Sequence, residues 1–261
     1  MKQLIVANMR EKSKRYNFDS IDVLLKAQIE NSLQVGWKPE DMIVITNFDY
    51  EFMGVKACNT VLNDTCLTGS KMFGLQWAMD SGLVNGAIWA HDLDAWQSAP
   101  FKEPKFKDVG ITTYSNSKFN GGSVFWKMSA KDIVDHVVAI IAVGESKEEP
   151  TLNKLLKSDY RKRTTVVDTT FNVGCSGFIP RLFRAEKPVK VCHLNPLNRI
   201  AWETHRLDRN GMGFVSVSSR LELLLRKYYP ALATELSKEG LKRSEQLREE
   251  NMKKLLKEKR E

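Results

Sequence analysis

The residues best placed to do chemistry are Asp92 and Asp94, near the end of the stretch Gly86-Ala-Ile-Trp-Ala-His-Asp-Leu-Asp-Ala-Trp96. A short apolar run behind a glycine predicts a strand buried on both faces. Residues i and i+2 of a strand point to one side. The two carboxylates therefore project together at the carboxyl end of a central strand, where open α/β sheets hold their ligands. Two unpaired carboxylates side by side repel and are costly near a core. A divalent cation removes that cost, and hard oxygen ligands suit Mg²⁺ or Mn²⁺. A metal held this way can carry the phosphates of a nucleotide. Taken alone, an Asp-x-Asp triplet fits an ordinary loop better than a metal site; Ile88 and Trp89 leading into it bring the two readings level.

Three further stretches carry reactive side chains. In Phe119-Asn-Gly-Gly-Ser-Val-Phe-Trp126, the glycines allow close approach of backbone or ligand, and Asn120 offers both donor and acceptor. A plain hairpin turn between strands is the competing reading. Glu148-Glu-Pro-Thr-Leu-Asn153 opens a helix with two carboxylates, which the helix dipole alone would favour. His193-Leu-Asn-Pro-Leu-Asn-Arg199 sets a histidine at a strand end six residues before an arginine. That spacing allows a metal ligand followed by a phosphate clamp, and it also allows a structural histidine.

The elements that must position these groups alternate. Gln3–Ala7 reads as a strand, followed by a polar and basic loop to Tyr16. A helix begins at Ser20, with Ile21, Leu24, Leu25, Ile29 and Leu33 on one face, and stops at Gly36. Met42–Thr46 is a second buried strand. Ser70 is expected to cap a helix through Lys71–Asp80, with Gly82 beyond its end. The Asp-x-Asp strand follows, and this β-α-β-α-β order argues for a parallel sheet with helices on both faces. Beyond it, Val109–Tyr114, Ser123–Met128, Thr165–Asp168 and Val189–His193 read as strands. Lys131–Val143, Glu148–Lys157 and Ser219–Tyr229 read as helices. The last segment, from about Ala231, reads as a solvated helix whose charges nearly balance.

With 261 residues and 42% hydrophobic content, the chain can build one sizeable core with an appendage. The division expected is 1–218 for the catalytic domain and 219–261 for a helical C-terminal extension. A formal net charge of +8 favours polyanionic partners. The basic excess lies in the body, including Lys102, Lys105, Lys107, Arg161, Lys162 and Arg163. The four cysteines show no Cys-x-x-Cys spacing, which fits reduced thiols and a cytoplasmic location. No signal peptide is read at the N-terminus, and no apolar run reaches the length of a membrane span.

The order of these stretches resembles GT-A-fold glycosyltransferases. The resemblance is closest to the retaining family that contains glycogenin and the bacterial lipopolysaccharide galactosyl- and glucosyltransferases. Lys71 stands where that family has a basic residue near a helix start, before Asp92-Leu-Asp94. Phe119-Asn-Gly-Gly122 matches its Phe-Asn-x-Gly strand. Glu148-Glu-Pro-Thr-Leu-Asn153 is similar to its Asp-Gln-x-x-Leu-Asn helix start. His193 and Arg199 keep the separation of its His-x-x-Gly-x-x-Lys, with Pro196 at the glycine position and Arg199 for Lys. The matched order covers roughly Gln3 to Trp202.

The resemblance implies an α/β fold with a GT-A, Rossmann-like mixed sheet flanked by helices. It implies a metal-dependent glycosyltransferase, hexosyl- or pentosyl-, that uses a nucleotide sugar, UDP-linked, and transfers with retention. Mn²⁺ or Mg²⁺ would be held by Asp92, Asp94 and His193. The donor would lie against Ala7, Asn8, Arg10, Lys71, Asp92, Gly121, Gly122 and Arg199, with Asn120, Glu148 and Glu149 as catalytic residues. The acceptor stays open: a glycan, a lipid-linked saccharide, a protein, or a modified base on DNA suggested by the basic charge. Two other classes remain. A nucleotidyltransferase also uses paired carboxylates, but Asn8–Tyr16 lacks the glycines of its usual phosphate loop. A non-enzymatic nucleic-acid-binding protein would explain the charge but not the buried setting of the carboxylates.

Overall fold

The computed structural model describes residues 1–10, 18–62, 69–113, 118–174, 184–194 and 219–230, and single positions between 238 and 257. It divides into two units: Met1–Leu93 with Lys102–Val167, and Asp94–Phe101 with Asp168–Glu261. The division expected at 218/219 therefore falls inside the second unit.

The first unit is built on a sheet. Its strands are β1 (Lys2–Ala7), β2 (Met42–Thr46), β5 (Cys58–Asn59), β6 (Ala87–His91), β8 (Val109–Thr113), β9 (Phe119–Lys127) and β10 (Thr164–Val166). A small hairpin, β3 (Glu51–Phe52) and β4 (Val55–Lys56), lies apart from them in sheet order. The order is β10-β8-β9-β6-β1-β2-β5. β1 pairs in parallel with β2 and β6, as the alternating pattern of the first half requires. β9 then runs antiparallel to both β6 and β8, so the sheet is mixed.

Here the hairpin-turn reading of Asn120-Gly-Gly needs correction. The strand begins at Phe119, and His91 of β6 pairs with Ser123, so these residues form the incoming end of a central strand. The glycines that suggested a turn are close-approach residues: a Cβ on Gly121 would lie 3.2 Å from Glu148 Oε1.

The four main helices of this unit are α1 (Phe18–Gln34), α2 (Ser70–Asp80), α3 (Lys131–Ala142) and α4 (Glu148–Lys157). Alternation along β1 assigns them to faces. Leu4 and Val6 join Met72 and Leu75 of α2, Ile133 and Val137 of α3, and Leu152 of α4 in one cluster. Ile5 and Ala7 join Ile21, Leu25 and Ile29 of α1 in another. Burying such a side chain contributes roughly 1.5–3 kcal/mol. That burial, rather than intrinsic propensity, holds α2, which carries Gly74 in its middle, where glycine costs about 1 kcal/mol. Gly74 is there because α2 lies very close to β1: a Cβ on it would meet Val6 Cγ2 at 2.5 Å.

In the second unit β7 (Ala95–Gln97) pairs antiparallel with β12 (Val191–His193), which pairs in parallel with β11 (Val173–Gly174). Trp96, fully buried, donates its indole N–H to the Leu194 carbonyl at 2.7 Å. Helix α5 (Ser219–Tyr228) buries Leu221, Leu224 and Leu225, and Arg220 reaches the Gln97 carbonyl at 3.1 Å. Residues 219–228 are thus built into this unit. No helix among the described residues is long and apolar enough to cross a membrane.

The contact at Gly74 gives a first prediction. Gly74→Ala should lower stability by about 1–3 kcal/mol, because β-branched Val6 cannot swing aside. Gly86→Ala, with no atom within 4 Å of the added carbon, should change little. Chemical denaturation of both variants compares them; equal midpoints would contradict the packing described.

Candidate active site

The carboxyl end of β6 delivers Asp92, and its backbone N–H donates to the Gly122 carbonyl of β9 at 2.9 Å. On the same face, α2 delivers Lys71. Gly69 precedes the helix without a side-chain cap, and the Ser70 hydroxyl accepts from Asn8 Nδ2 at 3.0 Å instead of capping as the sequence suggested. Lys71 comes next, only 7% exposed. Its ammonium donates to Asp92 Oδ1 at 2.6 Å and to the Gly121 carbonyl at 2.5 Å, and it lies 3.0 Å from Glu148 Oε1. An ammonium has three donors, so all three are engaged within the protein. Lys71, Asp92, Gly121 and Glu148, four of the residues singled out in the sequence, therefore meet at one ammonium.

Glu148 opens α4 and is 6% exposed. Burial pushes its carboxyl up to about 7, although Lys71 opposes this, and the Asp92 charge adds to the rise. Burial alone would lower the Lys71 ammonium, but the Asp92 and Glu148 charges outweigh it and hold the ammonium protonated. The two directions agree physically. One cation cannot neutralise two carboxylates, and the excess negative charge weighs on the more buried acid.

Asn120 is 1% exposed. Its Oδ1 accepts from the Gly122 N–H at 2.9 Å, while its Nδ2 is buried without a hydrogen-bond partner. Glu149, by contrast, is half-buried and pairs with Lys118 at 3.2 Å. Asn153 clasps the edge of β9: its Oδ1 accepts from the Phe119 N–H at 2.8 Å, and its Nδ2 donates to the Phe119 and Glu149 carbonyls. The Leu-Asn of the Glu-Glu-Pro-Thr-Leu-Asn stretch thus docks α4 on the strand.

At the end of β1, Asn47 Oδ1 accepts from the Met9 N–H at 2.7 Å and its Nδ2 donates to the Met9 carbonyl at 2.9 Å. Ala7 is fully buried in the α1 face of the core. Arg10 follows, and its Nε and Nη2 are buried without partners. Arg163, counted with the basic surface in the sequence, is engaged structurally: it bonds Asp108 and Asp132, each at 2.6 Å, and the Ser129 carbonyl.

In the second unit, Asp94 Oδ1 and His193 Nε2 are 2.9 Å apart, both half-buried. Tyr229, just beyond α5, has a buried hydroxyl without a hydrogen-bond partner; burial, with the Asp94 charge behind it, raises its phenol above the ordinary range. Nothing in the sequence marks Tyr229, since one tyrosine after an amphipathic helix has no pattern. Arg199 lies outside the described residues. Among the described residues, Asp92, Asp94 and His193 form a group that could hold a metal ion.

No protein-family model and no curated protein matches the chain. Solved structures do. LgtC, a galactosyltransferase in complex with donor and acceptor sugar analogs, superposes with a TM-score of 0.52 at 10% identity, over 93% of this chain and 100% of its own. A glycosyltransferase involved in glycosylation of the major capsid of PBCV-1 gives 0.50 at 12% identity, over 74% and 93%. The glycosyltransferase GlyE of Streptococcus pneumoniae TIGR4 gives 0.52 at 10%, over 91% and 66%. The chain has a GT-A-like fold, a mixed sheet flanked by helices.

Two outcomes follow from the buried charges. Lys71→Met should cost about 3–5 kcal/mol, since it strands the buried Glu148 carboxylate, and Lys71→Met with Glu148→Gln should recover part of that loss. The folded Glu148 carboxyl binds its proton more tightly than an unfolded one, so its contribution to stability is greatest at low pH. That contribution falls as pH rises from the unfolded value, 4.5, toward about 7. Glu148→Gln should flatten this part of the stability–pH curve, measured by denaturation without added metal. An unchanged curve would contradict the charge arrangement.

Proposed function

We propose that the chain is a metal-dependent glycosyltransferase that takes a sugar from a nucleotide-sugar donor, UDP-linked, and transfers it with retention to a saccharide acceptor. The observation that carries this reading is the Asp94–His193 contact at 2.9 Å, with Asp92 only two residues before Asp94, on a GT-A-like fold. The donor set fits a divalent ion: two carboxylates, which suit Mn²⁺ or Mg²⁺, and one imidazole, a softer donor, none of them deeply buried. When bound there, Mn²⁺ or Mg²⁺ would offset the charge of a departing nucleoside diphosphate.

The chain's own residues divide the remaining work. Arg10, with two buried guanidinium nitrogens unpartnered, supplies donors to the nucleotide at the end of β1. Asn120 directs its unpartnered amide N–H groups to the hydroxyls of the sugar. Gly121 keeps the strand thin where Glu148 packs against it, and Gly122 would lie toward the sugar. Lys71 holds Asp92 and Glu148 in place as their shared counter-ion, rather than reaching the diphosphate. Glu148 and Glu149 flank the sugar side, one buried and one partly open. Arg199 clamps the diphosphate, as its spacing from His193 suggests.

A saccharide acceptor is favoured by the acceptor sugar analog in the LgtC complex. A DNA acceptor finds no support in the comparisons, and Arg163 of the basic stretch already serves Asp108 and Asp132.

The test is hydrolysis of UDP-, GDP- and CDP-sugars by the full chain with Mn²⁺. Asp94→Asn should reduce Mn²⁺-dependent release of nucleoside diphosphate by about 100-fold or more, since a metal contributes several kcal/mol to such a step. His193→Ala should raise the Mn²⁺ concentration required. Release of pyrophosphate from a nucleoside triphosphate, or full activity in EDTA, would overturn the reading.

A further inference from the structure

We propose that His91 is a positioning residue that fixes the peptide plane between Asp92 and Leu93, and through it the metal-binding turn. The inference rests on the function proposed above. His91 is the last residue of β6 and is nearly fully buried, 2% exposed. Its Nδ1 is 2.9 Å from the carbonyl oxygen of Asp92, and its Nε2 is 2.9 Å from Gln3 Nε2 of β1.

These two contacts determine the proton. A carbonyl oxygen only accepts, so Nδ1 carries the hydrogen. In a neutral imidazole Nε2 is then an acceptor. The group facing it must donate, and Gln3 presents its amide nitrogen. The reverse tautomer would set two acceptors against each other at Asp92 and two donors at Gln3. The ring is also held by stacking: Trp89, two residues back on the same face, lies 4.1 Å away at 26°. Trp89 is itself pinned by its indole N–H to Ser123 Oγ at 2.7 Å. Gln3, Trp89 and His91 thus form a rigid column on one side of the sheet.

At Asp92 both peptide groups are tied. The N–H donates to Gly122, and the carbonyl accepts from His91. The carboxylate leaves toward Lys71. An aspartate held at its amide, carbonyl and carboxylate has little rotational freedom left, and the peptide that leads to Asp94 starts from a fixed plane. Hydrogen bonds to metal-ligating side chains orient them and typically carry about 10- to 100-fold in metal affinity; the His91 bond acts one step behind, on the backbone of the ligand residue.

The experiment uses the full chain with Mn²⁺ and UDP as probes. Long-range ¹H–¹⁵N correlation of imidazole-labelled wild type should report a neutral His91 with the proton on Nδ1; a proton on Nε2 would overturn the proposal without any variant. His91→Phe keeps a ring against Trp89 but loses the donor. It should retain a cooperative thermal transition and bind Mn²⁺ about 10- to 100-fold more weakly. His91→Asn places an amide N–H where Nδ1 was and should recover most of that affinity, although it loses the stacking. If wild type binds Mn²⁺ and His91→Phe binds it equally well, the positioning role is wrong. If wild type binds no Mn²⁺ with UDP present, the metal reading itself fails, and this proposal with it.

Discussion

One ammonium group organises the candidate site. Lys71 reaches it from the first turn of α2 and meets acceptors from β6, β9 and α4. Asp92, just past the end of a buried strand, and Glu148, at the start of α4, would otherwise repel each other. With Lys71 between them, Asp92 keeps a fixed position while Glu148 stays inside. The arrangement also explains the glycine at position 121. Its carbonyl must turn to the ammonium, and the space above its Cα is occupied by Glu148 and Leu152. A buried ion pair is weak evidence for stability, because desolvation offsets much of the attraction. Its use here is specificity of position.

The scaffold behind that group follows from simple alternation. Along β1 the odd and even residues face different helices, so α1 is fixed on one side of the sheet and α2, α3 and α4 on the other. Because Gly74 lets α2 sit against Val6, Lys71 starts close enough to the sheet to reach Asp92. On the opposite face, the Gln3–His91–Trp89 column stiffens the same strand end. The strand is thus constrained from both faces at the residue where its carboxylate must stay put.

Much of this was legible in the sequence, and the reasons differ by element. β1, β2 and β6 are short apolar runs ended by polar residues, and α1, α3 and α4 carry apolar faces, so period and length identified them. The start of β9 was legible only through the family resemblance, because Asn120-Gly-Gly has the composition of a turn; the ammonium and Glu148 packed against it make glycine necessary inside a strand. Lys71 was found only through the family resemblance, and a sequence does not say whether a lysine faces a ligand or a carboxylate. Arg163 looked like surface charge because its partners, Asp108 and Asp132, are distant along the chain. His91 was passed over as the residue before the triplet, since its role depends on Gln3 from another strand. Arg199 lies outside the described residues, and its part rests on spacing from His193.

The central claim is that this strand end serves a metal that carries a nucleoside diphosphate. The most direct measurement is a crystal structure of the full chain grown with Mn²⁺ and UDP, with anomalous diffraction collected at the manganese edge. The account predicts one strong anomalous peak ligated by Asp92, Asp94 and His193, with diphosphate oxygens completing its coordination. Ordered UDP with no manganese at these three residues, or manganese bound only elsewhere, would contradict it.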